Sequence, residues 1–144
     1  MDDIDKKIIN ILQENARTSI KTIAEKTYLS SPAVSSRLER LEKDGIITGY
    51  RAQVDYAKVG YPILAFINVE VAPSRKKEFY QYAEQITNIL ECNYITGNYS
   101  MIMKVAFKST AELDSFVGRL QEFGRTSTQI VFSTHVGPRG IRLE

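Results

Sequence analysis

The chain has 144 residues, of which 43% are hydrophobic and 25% charged, and its formal net charge is +2. That composition is globular, neither disordered nor membrane-embedded, and the length suits one ordinary domain or two small ones. With so little net charge, any nucleic-acid binding must come without a grossly basic surface.

Residues 1–45 show apolar spacings of three and four. Ile4, Ile8, Ile11 and Leu12 make one helical stripe, Ile20, Ile23 and Ala24 a second, and Val34, Leu38 and Leu41 a third. Asp2 or Asp3 can cap the first helix, Thr18 or Ser19 the second, and Ser31 with Pro32 reads as N-cap and first turn of the third. Gly45 is the expected stop. Residues 46–54 then alternate around Gly49, as a small β wing would, and residues 55–60 read as a linker.

From residue 61 the rhythm changes. We expect strand 62–72, helix 74–87, strand 89–96, strand 100–108, helix 110–123 and strand 127–136, with Gly97-Asn98 turning between the middle strands. That order gives a ferredoxin-like βαββαβ sandwich, with two helices on one face of a four-stranded sheet. The fold class is therefore α+β, with domains at 1–60 and 61–144. Ile63, Ala65, Ile67, Val69 and Val71 share one strand face, yet Leu64 and Phe66 lie on the other; Met101, Met103, Val105 and Phe107 likewise oppose Ile102 and Ala106. Two helices cover only one face. A second copy of the same sheet is the expected cover, making a homodimer.

Residues 20–38 read as helix, short turn, helix, which with a following wing is a helix-turn-helix DNA reader. With Val34, Leu38 and Leu41 inward, 100° per residue points Pro32, Ala33, Ser36, Arg40 and Lys43 outward, flanked by Ser35 and Arg37, with Ser31 a further candidate at the helix start. Short side chains let a helix approach base edges, and serine hydroxyls and arginine forks supply hydrogen bonds to bases or phosphates. Arg17 and Arg51 are further phosphate candidates. Between Arg17 and Lys43 six basic residues face three acidic ones, a local excess of +3. Affinity for double-stranded DNA then needs that weak patch repeated by oligomerisation, and an isolated 1–60 segment should bind poorly.

The runs Asp5–Ser19, Leu29-Ser30 and Arg37–Ala52, then Ile95-Thr96-Gly97-Asn98-Tyr99 and Arg125–Val131, resemble the Lrp/AsnC (feast/famine) regulators over essentially the full length. The resemblance implies an N-terminal winged helix-turn-helix and a C-terminal RAM-type effector domain. It also implies dimers, often assembled into octamers, that bind DNA and regulate transcription, commonly of amino-acid metabolism, under an amino-acid effector. Two positions depart from the family pattern. Tyr28 stands where the turn usually has glycine, so it must accept a positive φ or impose another turn. Ser100 stands where an aspartate is expected in the effector loop, with Gly97, Asn98 and Tyr99 as its neighbours. A hydroxyl pairs with a ligand ammonium far more weakly than a carboxylate does.

Nothing points to an enzyme or a cofactor. No nucleophile elbow, phosphate-binding glycine loop or paired carboxylates appear. Cys92 and His135, one of each, fit neither an internal disulfide nor a Cys/His metal site, and a lone thiol suits a reducing cytoplasm. The longest apolar run, residues 61–67, contains a proline and cannot span a bilayer, and the acidic start is unlike a signal peptide, so no membrane association is expected. Alternative readings are a ligand-independent DNA-architectural protein, a small-molecule sensor without DNA, and an RNA-recognition sheet. The last is weakened by the aliphatic third strand, which lacks stacking aromatics.

Overall fold

The structure, a computed structural model, describes residues 1–144. It divides into two units: residues 1–53 with 136–144, and residues 54–135. The division expected at residue 60 thus falls slightly earlier, and the last nine residues belong with the first unit.

In the first unit α1 spans Asp3–Glu14, α2 Ile20–Thr27 and α3 Ser31–Lys43. Asp2 caps α1 through a capping box in which its side chain accepts from the Asp5 N–H at 2.8 Å and the Asp5 carboxylate accepts from the Asp2 N–H at 3.0 Å. Ser19 caps α2, accepting from Thr22. Ser30, one residue before the expected cap, accepts from the Ala33 N–H and starts α3, so Ser31 lies inside the helix. Ile8, Ile23, Ala24 and Val34 are buried, with Ile4, Ile11, Leu12, Leu29 and Leu38 packed around them. Tyr28 ends α2 in the left-handed region, φ +58°, and the residue is 92% exposed. It pays the conformational cost that glycine would avoid.

The expected β wing is not a hydrogen-bonded ribbon. The Gly45 N–H reaches the Glu42 carbonyl and the Ile46 N–H the Leu41 carbonyl, closing α3 with Gly45 at φ +68°. Ile47 donates to Leu41 as well, so the wing's first two donors are spent on capping. Residues 48–55 run on as non-repetitive chain. The Tyr50 hydroxyl donates to Glu42 at 2.7 Å, holding this segment to the end of α3; burial, with Glu42 beside it, pushes the phenol up to about 12. The C-terminal residues strap the outer face of α1. Asn10 donates to the Leu143 carbonyl and accepts its N–H, and Gln13 donates to the Ile141 carbonyl.

In the second unit β1 (Ile63–Val69), α4 (Lys76–Glu84), β2 (Ile89–Tyr94), β3 (Met101–Phe107), α5 (Thr110–Leu120) and β4 (Thr126–Ile130) follow in the expected βαββαβ order. The sheet runs β2-β3-β1-β4, all antiparallel. A 3₁₀ turn at Pro73–Arg75 replaces the expected first turn of α4. β4 stops at Ile130 instead of continuing to 136. It is an edge strand with β1 as its one neighbour, and the last bond, Val131 N–H to the Leu64 carbonyl, lies where β1 itself begins after Pro62. Ala65, Ile67, Val69, Met101, Met103, Val105 and Phe107 form the core with Phe79, Leu113, Phe116 and Leu120 of the helices. Cys92 is half-buried at the edge of this core, where burial raises its thiol above the ordinary range.

Candidate nucleic-acid interface and effector loop

Helix α3 exposes the small residues of its first turn. Ser31, Pro32 and Ser36 are exposed and Ala33 is half-buried, while Val34 and Leu41 are fully inside. Ser35 is half-buried and its hydroxyl donates back to the Ser31 carbonyl at 3.1 Å, so it is less free than its position suggests. Lys43 is exposed at the far end.

Arg37 and Arg40 behave differently from the outward cations read off the helical wheel. Arg37 Nη1 donates to Asp2 Oδ2 and to Asp5 Oδ1, each at 2.7 Å, and Arg40 Nη2 donates to both oxygens of Asp5 at 2.7 Å. Asp5 is fully buried. Burial alone would raise its carboxyl, but the Asp2 N–H and the two guanidiniums reverse that and hold it at about 2. Asp2 is lowered too, chiefly by its hydrogen bond from Arg37. The neighbouring Glu39 and Glu42 are not the partners. Of the two, the sequence marked only Asp2, as a helix cap, and the pairing with the arginines depends on how α1 crosses α3. Counting them, the local excess falls from +3 to +1.

Arg17 and Arg51, 34 residues apart in sequence, line one cleft between the end of α1 and residues 46–53, together with Thr48 and Gly49. The first unit carries eleven basic and nine acidic residues and the second eight of each, so the whole net charge of +2 sits on the unit with the helix-turn-helix.

Between β2 and β3, Gly97 turns at φ +107°, and Gly97 and Asn98 are exposed. Tyr99 lies under Arg125, with the guanidinium 4.9 Å from its ring centroid, and Arg125 pairs with Glu70 at 3.2 Å. Ser100 points inward: its Oγ accepts from the Val71 N–H at 2.8 Å and lies 3.2 Å from the Val71 carbonyl. That hydroxyl joins the loop to the end of β1. The sequence placed Ser100 in the effector loop, and the structure gives its hydroxyl backbone partners at Val71.

A winged helix-turn-helix DNA-binding family profile matches residues 1–48, and the Lrp/AsnC ligand binding domain matches residues 64–141. The chain belongs to the Lrp/AsnC family. This Lrp/AsnC regulator is 35% identical over 138 residues to the HTH-type transcriptional regulator FL11 of Pyrococcus furiosus, covering 94% of this chain and 91% of the relative. LrpC of B. subtilis superposes with a TM-score of 0.90 at 29% identity, covering 96% and 99% of the two chains. A feast or famine regulatory protein from M. tuberculosis, complexed with L-methionine, superposes at 0.92 and 28% identity, covering 99% of both. The Lrp/AsnC chain is thus a DNA-binding transcriptional regulator with an α+β architecture, and its relatives are regulators too.

Proposed function

We propose that α3 enters the major groove of double-stranded DNA. Ser31, Ala33 and Ser36 would lie nearest base edges, and Lys43, Arg17 and Arg51 on phosphates. The observation that carries this reading is the exposed, short-side-chain first turn of α3, the part of a reading helix that approaches bases. Ser36→Glu places a carboxylate one turn further along the same exposed face and should weaken DNA binding about tenfold or more by repulsion from the phosphates. Near wild-type titration of duplex by a folded variant contradicts the placement.

The same reading includes a homodimer, open to further assembly as an octamer. Its support is the sheet face opposite the helices, where Phe66 is 37% exposed and Leu64 and Ile102 are half-buried beside the buried Ala106. Covering that face with a second copy would give the assembly two reading helices, for two-fold half-sites separated by about one helical turn or multiples of it. Phe66→Asp should convert the dimer to monomer in sedimentation at micromolar concentration; a wild-type that already sediments as monomer rejects it. The regulator acts by binding and not by catalysis, in the cytoplasm.

An amino-acid effector is the remaining part. Support comes from the L-methionine bound by the M. tuberculosis relative and from the exposed backbone at Gly97 and Asn98. Because the Ser100 hydroxyl is spent on Val71, backbone groups of 97–99 would carry the contacts. Calorimetry with L-methionine should give weak, saturable heat that Gly97→Val removes; no heat and no thermal shift reject methionine as the effector.

A further inference from the structure

The carboxylates facing α3 do more than cap α1. Asp5 offers no surface to water, and its two oxygens receive Arg37, Arg40 and the Asp2 N–H. Asp2 divides its oxygens, one taking the Asp5 N–H and the other Arg37. The guanidiniums themselves stay near the surface, with side chains 27% exposed for Arg37 and 49% for Arg40. A phosphate could therefore reach them, but only by taking donors from a carboxylate that cannot rehydrate. Stripping a buried anion of its partners costs more than an exposed phosphate contact returns.

We propose that Asp2 and Asp5 are built-in counter-ions of the reading helix. They withhold Arg37 and Arg40 from the DNA backbone, keep sequence-independent affinity low and so raise discrimination between sites. Each phosphate that a protein neutralises steepens the dependence of log K on log salt by about 0.9, with no sequence information attached. Two arginines held back remove that much indiscriminate affinity. The same bonds fix α3 against α1, so the short side chains of its first turn meet the groove in one orientation. The proposal rests on α3 being the DNA-contacting helix.

The test uses the full-length protein with two duplexes, one selected from a random pool by the wild type and one scrambled, each titrated across a salt series. Asp2→Asn keeps an equally good N-cap and releases the outer contact of Arg37; Asp5→Asn loosens both arginines. The scrambled duplex should bind more tightly at low salt. Its salt slope should steepen by up to about one for Asp2→Asn, where Arg37 keeps its Asp5 bond, and by up to about two for Asp5→Asn, and the ratio of selected to scrambled affinity should fall. A merely structural role would lower the melting temperature and weaken both duplexes without steepening the slope. Unchanged or weaker scrambled binding in a folded Asp2→Asn variant, or an unchanged slope in a folded Asp5→Asn variant, overturns the proposal. Ser36→Glu runs alongside: if it binds like wild type, the placement of α3 has failed; if it loses both duplexes while the aspartate variants keep the wild-type slope, only the counter-ion proposal has.

Discussion

Gly124→Ala should destabilise the sheet unit by about 3 kcal/mol or more, through a backbone conflict that no side-chain rotation relieves. Gly124 sits at φ +155°, and a Cβ built on it would overlap the carbonyl oxygen of Glu70, a backbone atom that cannot swing aside. Moving the chain away breaks the Glu70 N–H bond to the Arg125 carbonyl, 2.8 Å, next to the start of the β1–β4 ladder at Val69 and Thr126. The Arg125–Glu70 pair and the Arg125–Tyr99 contact lie on the same strand ends, so the effector loop loosens with it. Denaturant titration reads the loss, and an unfolding free energy within about 0.5 kcal/mol of wild type shows that the approach of residues 124 and 70 is not rigid. Gly118, with open space around its Cβ position, is the control.

Asp5→Ala should cost the helix-turn-helix unit about 3 kcal/mol. It removes half of the capping box and the common partner of Arg37 and Arg40. Both arginines are partly exposed and can rehydrate, which places the cost at the lower end for a broken buried pair. The same carboxylate predicts a pH dependence. Its pKa falls from 3.8 to about 2 on folding, so the native state favours the ionised form. That contribution, about 2 kcal/mol, is complete above pH 3.8 and disappears as pH drops toward 2. Acid unfolding followed by circular dichroism should therefore steepen between pH 4 and 2 in the wild type and flatten there in Asp5→Ala. Parallel acid transitions for the two proteins would show that Asp5 is not the group responsible.

Much of the fold was legible because it rests on local rules. The periodicity of Ile4, Ile8 and Ile11, the Ser and Asp caps, the stop at Gly45 and the alternation along β1 and β3 each depend on residues within a few positions of one another. The errors fall where a local pattern had to be completed from elsewhere. Residues 46–54 alternate like a ribbon, but the donors of Ile46 and Ile47 close α3. Residues 131–136 are as β-prone as any, yet β1 offers them no neighbour beyond Leu64. Ser100 depends on distant chain in the same way: the N–H its hydroxyl accepts, that of Val71, comes from 29 residues away.

Charge shows the same division. The sequence by itself determined that the chain is nearly neutral, that its excess of cations lies between Arg17 and Lys43, and that two domains of different rhythm follow one another, because composition and periodicity are properties of the string. Only the tertiary structure decided which of those cations are paired. Helix crossing brings Asp2 and Asp5 onto Arg37 and Arg40 from more than 30 residues away, and the fold gathers Arg17 and Arg51 into one cleft. Coulomb interactions act through space and are settled within a few ångströms, so the pairing of charges waits on packing that no linear count contains.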